Sequence, residues 1–397
     1  MKTMLLATTQ SKQNAVVYVA TQLLHSLMFT IPVWIVFYQS RISVWEISFL
    51  VTLQYAVQMI LELPSGALAD MIGRKSTAIL AFVIGAVGFL AFPWAVNLLH
   101  FSLIIILVGA SDAFRSGSEE ALLYDSFKQA NNETGYSKTY NDGNLIYQVG
   151  LITGTALGGY LYSYNNVIPF VAYGIMLLFA SILSLFYIEP KLDTEKFSLS
   201  GYKRQITEGV KEAFKSRYTT YLSLYYIAVG GIAWASTVYF NDYMLIELGF
   251  ADSTRGVITA ALRLINALVV AKVLTNTKLF NSTRTILFFP IIMLFAYLPA
   301  LTLQGYWGLP FVQAAMIATT ARWGILSPLT NEMFSSKYRA TAISLLSLLI
   351  GFVFIGLTAI SGLVITLYGI RVMYMTLGIV SAITIVPLAI KLINIQK

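Results

Sequence analysis

Gly66-Ala-Leu-Ala-Asp70-Met-Ile-Gly73-Arg74-Lys75 joins two apolar runs, near 44–68 and 76–96. Each run is long enough to cross a bilayer as a helix, since about 20 residues span the hydrocarbon core. The joining segment has the chemistry of a tight loop at a membrane surface. Gly66 permits close helix approach and Gly73 permits a sharp turn. Asp70 is suited to the positive N-terminus of another helix, and Arg74 with Lys75 holds the loop on the cytoplasmic side.

Further apolar stretches of similar length lie near 14–38, 98–124, 140–163, 166–188, 218–243, 253–274, 284–303, 306–330, 338–363 and 369–391. Twelve spans result, and the expected fold class is an all-α polytopic membrane protein in two pseudo-symmetric six-helix bundles. Membrane β-strands are about half as long and alternate in polarity, which these runs do not. The 397 residues are 57% hydrophobic and 11% charged. Soluble domains carry roughly 25% charged residues, so this chain needs a bilayer as its solvent. It has no Cys, which excludes disulfides and thiolate chemistry, and its two histidines, His25 and His100, do not make a metal centre. The opening Met1–Gln10 is too short for a cleavable signal peptide, so the first span is expected to insert itself.

Basic residues set the orientation. With the N-terminus inside, the cytoplasmic segments hold Lys2, Lys12, Arg74, Lys75, Lys128, Lys138, the run Lys191 to Arg217, Lys278, Arg284, Lys337, Arg339, Lys391 and Lys397. The other side holds only Arg41, Arg255 and Arg371. The net charge of +8 is thus a topology signal, and no nucleic-acid partner is implied. The longest hydrophilic stretch, Glu189–Arg217, divides the chain into bundles at 1–188 and 218–397 with a linker at 189–217, in which Tyr202–Lys215 can form an amphipathic surface helix. An internal repeat supports the division: Arg115 precedes Asp125 and Phe127 by the same intervals at which Arg322 precedes Glu332 and Phe334.

The loop at 66–75 resembles the signature of the major facilitator superfamily, G-x-L-a-D-r-x-G-R-K, with Met71 in place of the usual basic residue. The resemblance implies a conformational latch of Gly66, Asp70, Gly73, Arg74 and Lys75, in which Arg74 pairs with an acid ending span four. Asp125 is the matching acid, with Glu332 its counterpart in the second half. There the loop Asn276–Arg284 keeps basic residues but neither glycine nor acid. Gly150-Leu-Ile-Thr-Gly154-Thr155-Ala-Leu-Gly158-Gly159 in span five is similar to the antiporter motif of drug/proton exchangers of that superfamily, with Thr155 where the motif has proline. Read by itself, Gly150, Gly154 and Gly158 make a smooth face for tight helix packing. The segment 116–126 also resembles bacterial drug-efflux members.

Ionisable groups within spans are costly and are functional candidates by default. Glu62 lies roughly 12 Å inside the membrane at 1.5 Å per residue, and Arg115 roughly 15 Å from the Asp125 end. Asp112, Arg115 and Glu119 share one face of span four. These groups form either a neutralised structural network or a proton relay, with Glu62 and Asp112 the first choices for the proton and His25 a further titrating candidate. Glu119 and Glu120 are expected near a solvated mouth. In the second half, Arg263 and Arg322 can hold an anionic substrate group or pair with Asp112. Trp34, Tyr147, Tyr226, Trp234 and Trp323 are candidate walls of an apolar cavity, with Gln58 and Gln148 as polar contacts.

The function expected is secondary active transport by alternating access: proton-coupled antiport exporting small amphipathic, drug-like molecules. The alternative is a proton-coupled uptake symporter for a small organic anion or nutrient. A membrane-embedded enzyme or a non-transporting receptor is more remote, since no H-E-x-x-H cluster or Walker-type loop occurs. No cofactor beyond protons is implied. A monomer in the bacterial inner membrane, with both termini cytoplasmic, is expected.

Overall fold

A computed structural model of the protein describes residues 2–190, 199–274 and 279–396. The described residues are helical almost throughout and contain no strand. Seven of their helices are long and apolar enough to cross a membrane on composition alone. Glu133–Tyr164, span five, and Lys2–Ser26, the first part of span one, are not among them.

Span one breaks after Ser26 and resumes as Trp34–Gln39. Span two is Val44–Ile72, span three Arg74–Ala91, span four Leu98–Gln129 and span six Ile168–Ser184. Between spans two and three only Gly73 is non-helical, at φ +91°, a conformation that favours glycine. Span four runs five residues past its expected end, and span five begins seven residues early, because Asn132 caps its N-terminus by accepting from the Gly135 amide. Leu199–Ala213 is the linker helix. Lys191, Lys196, Lys278, Lys397 and the Asp70 side chain lie outside the described residues.

In the second half, three spans pass through a π-helical turn: Ser236–Phe240 in span seven (Arg217–Glu247), Val270–Leu274 ending span eight (Asp252–Leu274), and Arg322–Leu326 in span ten, which begins at Leu309. Span nine is Ser282–Tyr297. Spans eleven and twelve run as one helical element, Arg339–Gln396, interrupted where Gly369 takes φ +82°.

The chain forms two compact units. Unit 1 is Met1–Ile42, Leu53–Phe197 and Asp252–Ala260. In it, span three packs on spans four and six, and span one on spans four, five and six. Phe37, Tyr38, Phe92, Phe101 and Phe170 interlock at one end, with the Phe37 and Phe170 rings 4.2 Å apart. The first turns of span eight are held in this unit by Arg255, which pairs with Asp252 and donates to the Pro32 carbonyl at 2.7 Å. Unit 2 is Ser43–Thr52, Ser198–Ala251 and Ala261–Lys397. The first turns of span two are held there by hydroxyl bonds, Ser48 to Tyr239 at 2.9 Å and Thr52 to Thr358 at 3.0 Å.

Candidate functional site

Span four carries the chemistry of unit 1. Its residues Asp112, Arg115 and Glu119 face inward at helical spacing, and spans one, two, five and six supply their surroundings. Glu119 is 2% exposed, contrary to its expected place near a solvated mouth. The cause is its environment: Thr21 Oγ1 donates to Oε1 at 2.8 Å, Tyr187 Oη at 3.1 Å, and Gln22 Nε2 approaches Oε2 at 3.4 Å. Arg115 Nη1 stands 4.0 Å from Oε2. A carboxylate with these donors is satisfied as an anion. Its neighbour Glu120 is exposed and accepts from Tyr136 at 3.2 Å.

Asp112 is served less well, with Gln54 Nε2 at 3.4 Å from Oδ2. Arg115 interacts electrostatically with both acids and with Tyr147 and Tyr173, and its Nε is buried without a hydrogen-bond partner. His25 is buried with its ring stacked on Tyr147 at 5.9 Å, and its Nδ1 has no partner either. Its backbone carbonyl accepts from Tyr173 Oη at 3.0 Å, just before the break in span one. Glu62 is not part of this group. It is exposed, and among the described residues no charged group acts on it. Gln58 is half-buried on the same span and Gln148 is exposed on span five.

The glycines of span five face the break in span one. A Cβ at Gly154 would lie 2.8 Å from the Leu27 carbonyl carbon, and one at Gly158 would collide with the Phe29 carbonyl. Gly150 meets Ser26, and Gly159 meets the backbone of Asp252. Thr155, at the proline position of the resembled motif, is fully buried and its hydroxyl has no partner.

At the other end of the span-four helix, Arg74 pairs with Asp125 and donates to the Ala121 carbonyl. Sequence reasoning missed the third member of this cluster. Glu189, just past span six, accepts from the backbone amides of Arg74 (2.8 Å) and Lys75 (2.7 Å), capping span three beside Gly73. The signal was available: a lone acid directly following an apolar run, in a chain otherwise short of acids. Gly66 has open space around it. Glu332 is exposed on its own unit.

In unit 2, Arg322 occupies the π-turn of span ten and is 6% exposed. Its guanidinium lies over the Trp323 ring at 4.0 Å and the Tyr226 ring at 5.3 Å, and Nη1 donates to Tyr226 Oη at 3.0 Å. Nε has no hydrogen-bond partner. Trp323 itself is 58% exposed. Trp234 is half-buried against Phe354, at 4.6 Å, and Arg263 is half-buried on span eight. Trp34, in unit 1, packs edge-on to Tyr38 at 5.5 Å. No cluster of three or more metal-ligating side chains occurs among the described residues.

Comparison with known proteins agrees with this architecture. The chain is 24% identical over 233 residues to the MFS-type transporter YxaM of Bacillus subtilis (strain 168), covering 58% of this chain and 57% of that one. The chain thus matches little more than half the length of that relative. Its fold is similar to that of the nucleoside transporter NupG, with a TM-score of 0.76 at 12% identity, covering 96% of this chain and 98% of NupG. It is also similar to a bacterial homolog to human lysosomal transporter Spinster, with a TM-score of 0.68 at 15% identity, covering 98% and 95% of the two chains. The family model of the Major Facilitator Superfamily matches residues 15–331. Twelve spans, the loop at 66–75 and that match together place the chain in the Major Facilitator Superfamily, as a multi-pass membrane transporter and not an enzyme.

Proposed function

We propose that this transporter exports small amphipathic molecules in exchange for protons, by alternating access. One observation carries the proton coupling: unit 1 sets two carboxylates, the half-buried Asp112 and the buried Glu119, around one guanidinium, Arg115. One guanidinium neutralises one carboxylate. The second charge must be met by a proton or another cation whenever the site is closed to water. Glu119 is held as an anion by Thr21, Gln22 and Tyr187, so Asp112, which has one long hydrogen bond among the described residues, is the group that exchanges the proton. Protonating Asp112 releases Arg115 towards Glu119 and so biases a two-state equilibrium.

Efflux is favoured by the likeness of 150–159 to the antiporter motif, and by the close seating of those glycines on the broken part of span one. The loop at 66–75, with Arg74 on Asp125, serves as the latch, and the basic-residue bias orients both termini to the cytoplasm of a bacterial cell. The protein acts as a monomer with a separate six-span bundle on each side of its linker.

The test is proton movement in proteoliposomes with an imposed pH gradient and a trapped pH-sensitive dye. Lipophilic cations, neutral drugs and organic anions are added in turn, to the wild type and to Asp112→Asn. The expected result is proton flux opposite to an added compound, abolished by Asp112→Asn. Flux unchanged by that substitution would remove Asp112 from the mechanism. A second reading, uptake of an organic anion with protons, is favoured by Arg322, whose buried Nε lacks a hydrogen-bond partner. Proton flux in the same direction as an added anion, lost in Arg322→Gln, would select it.

A further inference from the structure

Three spans converge on the four residues that end span six, Phe186-Tyr187-Ile188-Glu189. Span one grips their backbone. Asn14 pairs with Ile188 on both sides, its Nδ2 donating to the carbonyl at 2.8 Å and its Oδ1 accepting from the amide at 2.8 Å. Gln13 Nε2 donates to the Phe186 carbonyl at 2.7 Å, and Gln10 Nε2 to that of Ile188 at 3.3 Å. Asn14 also donates to Ser126 Oγ on span four, at 2.6 Å. Within this gripped segment, two side chains only two residues apart reach opposite targets. Tyr187 is buried and its hydroxyl donates to Glu119 in the charged centre. Glu189 turns outward and caps the Arg74 and Lys75 amides of the signature loop.

We infer that Tyr187 and Glu189 are positioning residues that tie the charged centre of unit 1 to the loop at Gly73–Lys75. The inference rests on the proton-coupling reading above for its trigger, and on the hydrogen bonds alone for its wiring. The order of events follows from those bonds. With Asp112 ionised, Arg115 is shared between two carboxylates, which fits its long 4.0 Å approach to Glu119. With Asp112 protonated, Arg115 closes on Glu119 and, as its fork spans the carboxylate, competes with Tyr187 for Oε1. Tyr187 loosens, the end of span six shifts within the grip of span one, and Glu189 leaves the Arg74 and Lys75 amides.

The groups facing each end limit the alternatives. Around Glu119 stand Arg115 on its own helix, Thr21, Gln22 and Tyr18 of span one, and Tyr187. Around Glu189 stand the span-three N-terminus with Arg74 and Lys75, and Asp125 of span four with Lys128 beside it. Span four also holds the Arg74 side chain through Asp125 and Ala121. The signature loop therefore has two holds, and only the one through span six begins at the charged centre with a hydrogen-bonded hydroxyl.

The experiment reads amide hydrogen exchange at Arg74 and Lys75 in the full-length protein in nanodiscs at pH 7.5. It compares the wild type with Asp112→Asn, Tyr187→Phe, Glu189→Gln and the double variant Asp112→Asn/Tyr187→Phe. Asp112→Asn stands for the protonated state, and Tyr187→Phe keeps the buried ring while removing the bond. Each single variant is expected to speed exchange at these two amides by about tenfold or more, as befits loss of a hydrogen bond to a charged group. The double variant is expected to exchange no faster than either parent, because both act on one chain of contacts. Two results overturn the inference: Tyr187→Phe within twofold of wild type while Glu189→Gln is fast, or an Asp112→Asn effect that persists in full on the Tyr187→Phe background. Proton flux in vesicles of the same preparation separates the two readings. If the wild type moves no protons yet Tyr187→Phe still frees the amides, the coupling reading fails and the wiring stands.

Discussion

Gly158→Ala tests the seating of span five on span one, and its cost can be worked from the contacts. A methyl at this position meets only backbone: the Phe29 carbonyl oxygen in collision, its carbon at 2.8 Å and its Cα at 3.1 Å. None of these atoms can rotate away, so the helix and the broken segment must separate. Overpacking of this kind costs about 1–3 kcal/mol. A collision with fixed backbone belongs at the upper end of that range, and alanine in place of glycine in a helix returns up to about 1 kcal/mol, leaving a net loss of roughly 2 kcal/mol. Gly154→Ala should behave alike, since the Leu27 carbonyl carbon and Met28 nitrogen lie at 2.8 Å. Gly150→Ala should be milder, because its closest contact is the Ser26 hydroxyl, which can turn aside. Thermal unfolding in detergent, followed by loss of the monodisperse fraction, gives the ranking. Midpoints for Gly158→Ala and Gly154→Ala should fall by a few degrees, with Gly150→Ala near wild type. A Gly158→Ala protein as stable as wild type, or a Gly150→Ala protein less stable than Gly158→Ala, would refute the close backbone contact.

Three further outcomes can be checked on the same preparations. Asn14→Leu leaves the Ile188 amide without its partner and its carbonyl with the longer Gln10 bond, and should destabilise by about 1–3 kcal/mol in a denaturation series. Arg74→Ala and Asp125→Asn, combined in a double-mutant cycle, should show a coupling of roughly 0.5–3 kcal/mol; a cycle that closes to zero would mean that the pair carries no energy. Glu212, on the linker helix, accepts from Lys215 at 2.7 Å and from the Ser335 amide at 2.6 Å. Burial opposes its ionised form, but these bonds outweigh burial and hold its carboxyl below the usual 4.5. A depressed acid stabilises above its unfolded value and loses that contribution as pH falls through the folded one. Exchange at the Ser335 amide should therefore stay slow down to about pH 4.5 and rise below it, whereas Glu212→Gln should exchange faster at pH 7.

The spans and their loop were legible because both depend on short-range sequence. Apolar runs of bilayer length, and a glycine with two cations after them, can be read one residue at a time. Arg74 and Asp125 could be paired in advance only through the family likeness. What escaped the sequence depends on contacts between distant spans. Glu119 read as solvated because its neighbours along the helix are polar, and only folding brings Thr21 and Tyr187 to it from 98 and 68 residues away. Glu62 read as a buried partner from its depth alone, yet depth does not say which way a side chain faces, and this one is exposed. The π-turn at Arg322 shifts helical register, so regular periodicity could not place that guanidinium between Tyr226 and Trp323.

The polar ladder of span one bears on how the chain enters the membrane as it is made. Asn14, Thr21 and Gln22 find their partners on span four and at the end of span six, which leave the ribosome later by about 100 to 170 residues. Until those partners arrive, these polar side chains meet lipid without them, which is unfavourable. It should therefore wait beside the insertion machinery and settle late. Chains halted after span three should leave Asn14 open to a water-soluble thiol reagent when it is replaced by cysteine, and chains extended beyond Glu189 should protect it. Equal protection at both lengths would mean that span one enters without help.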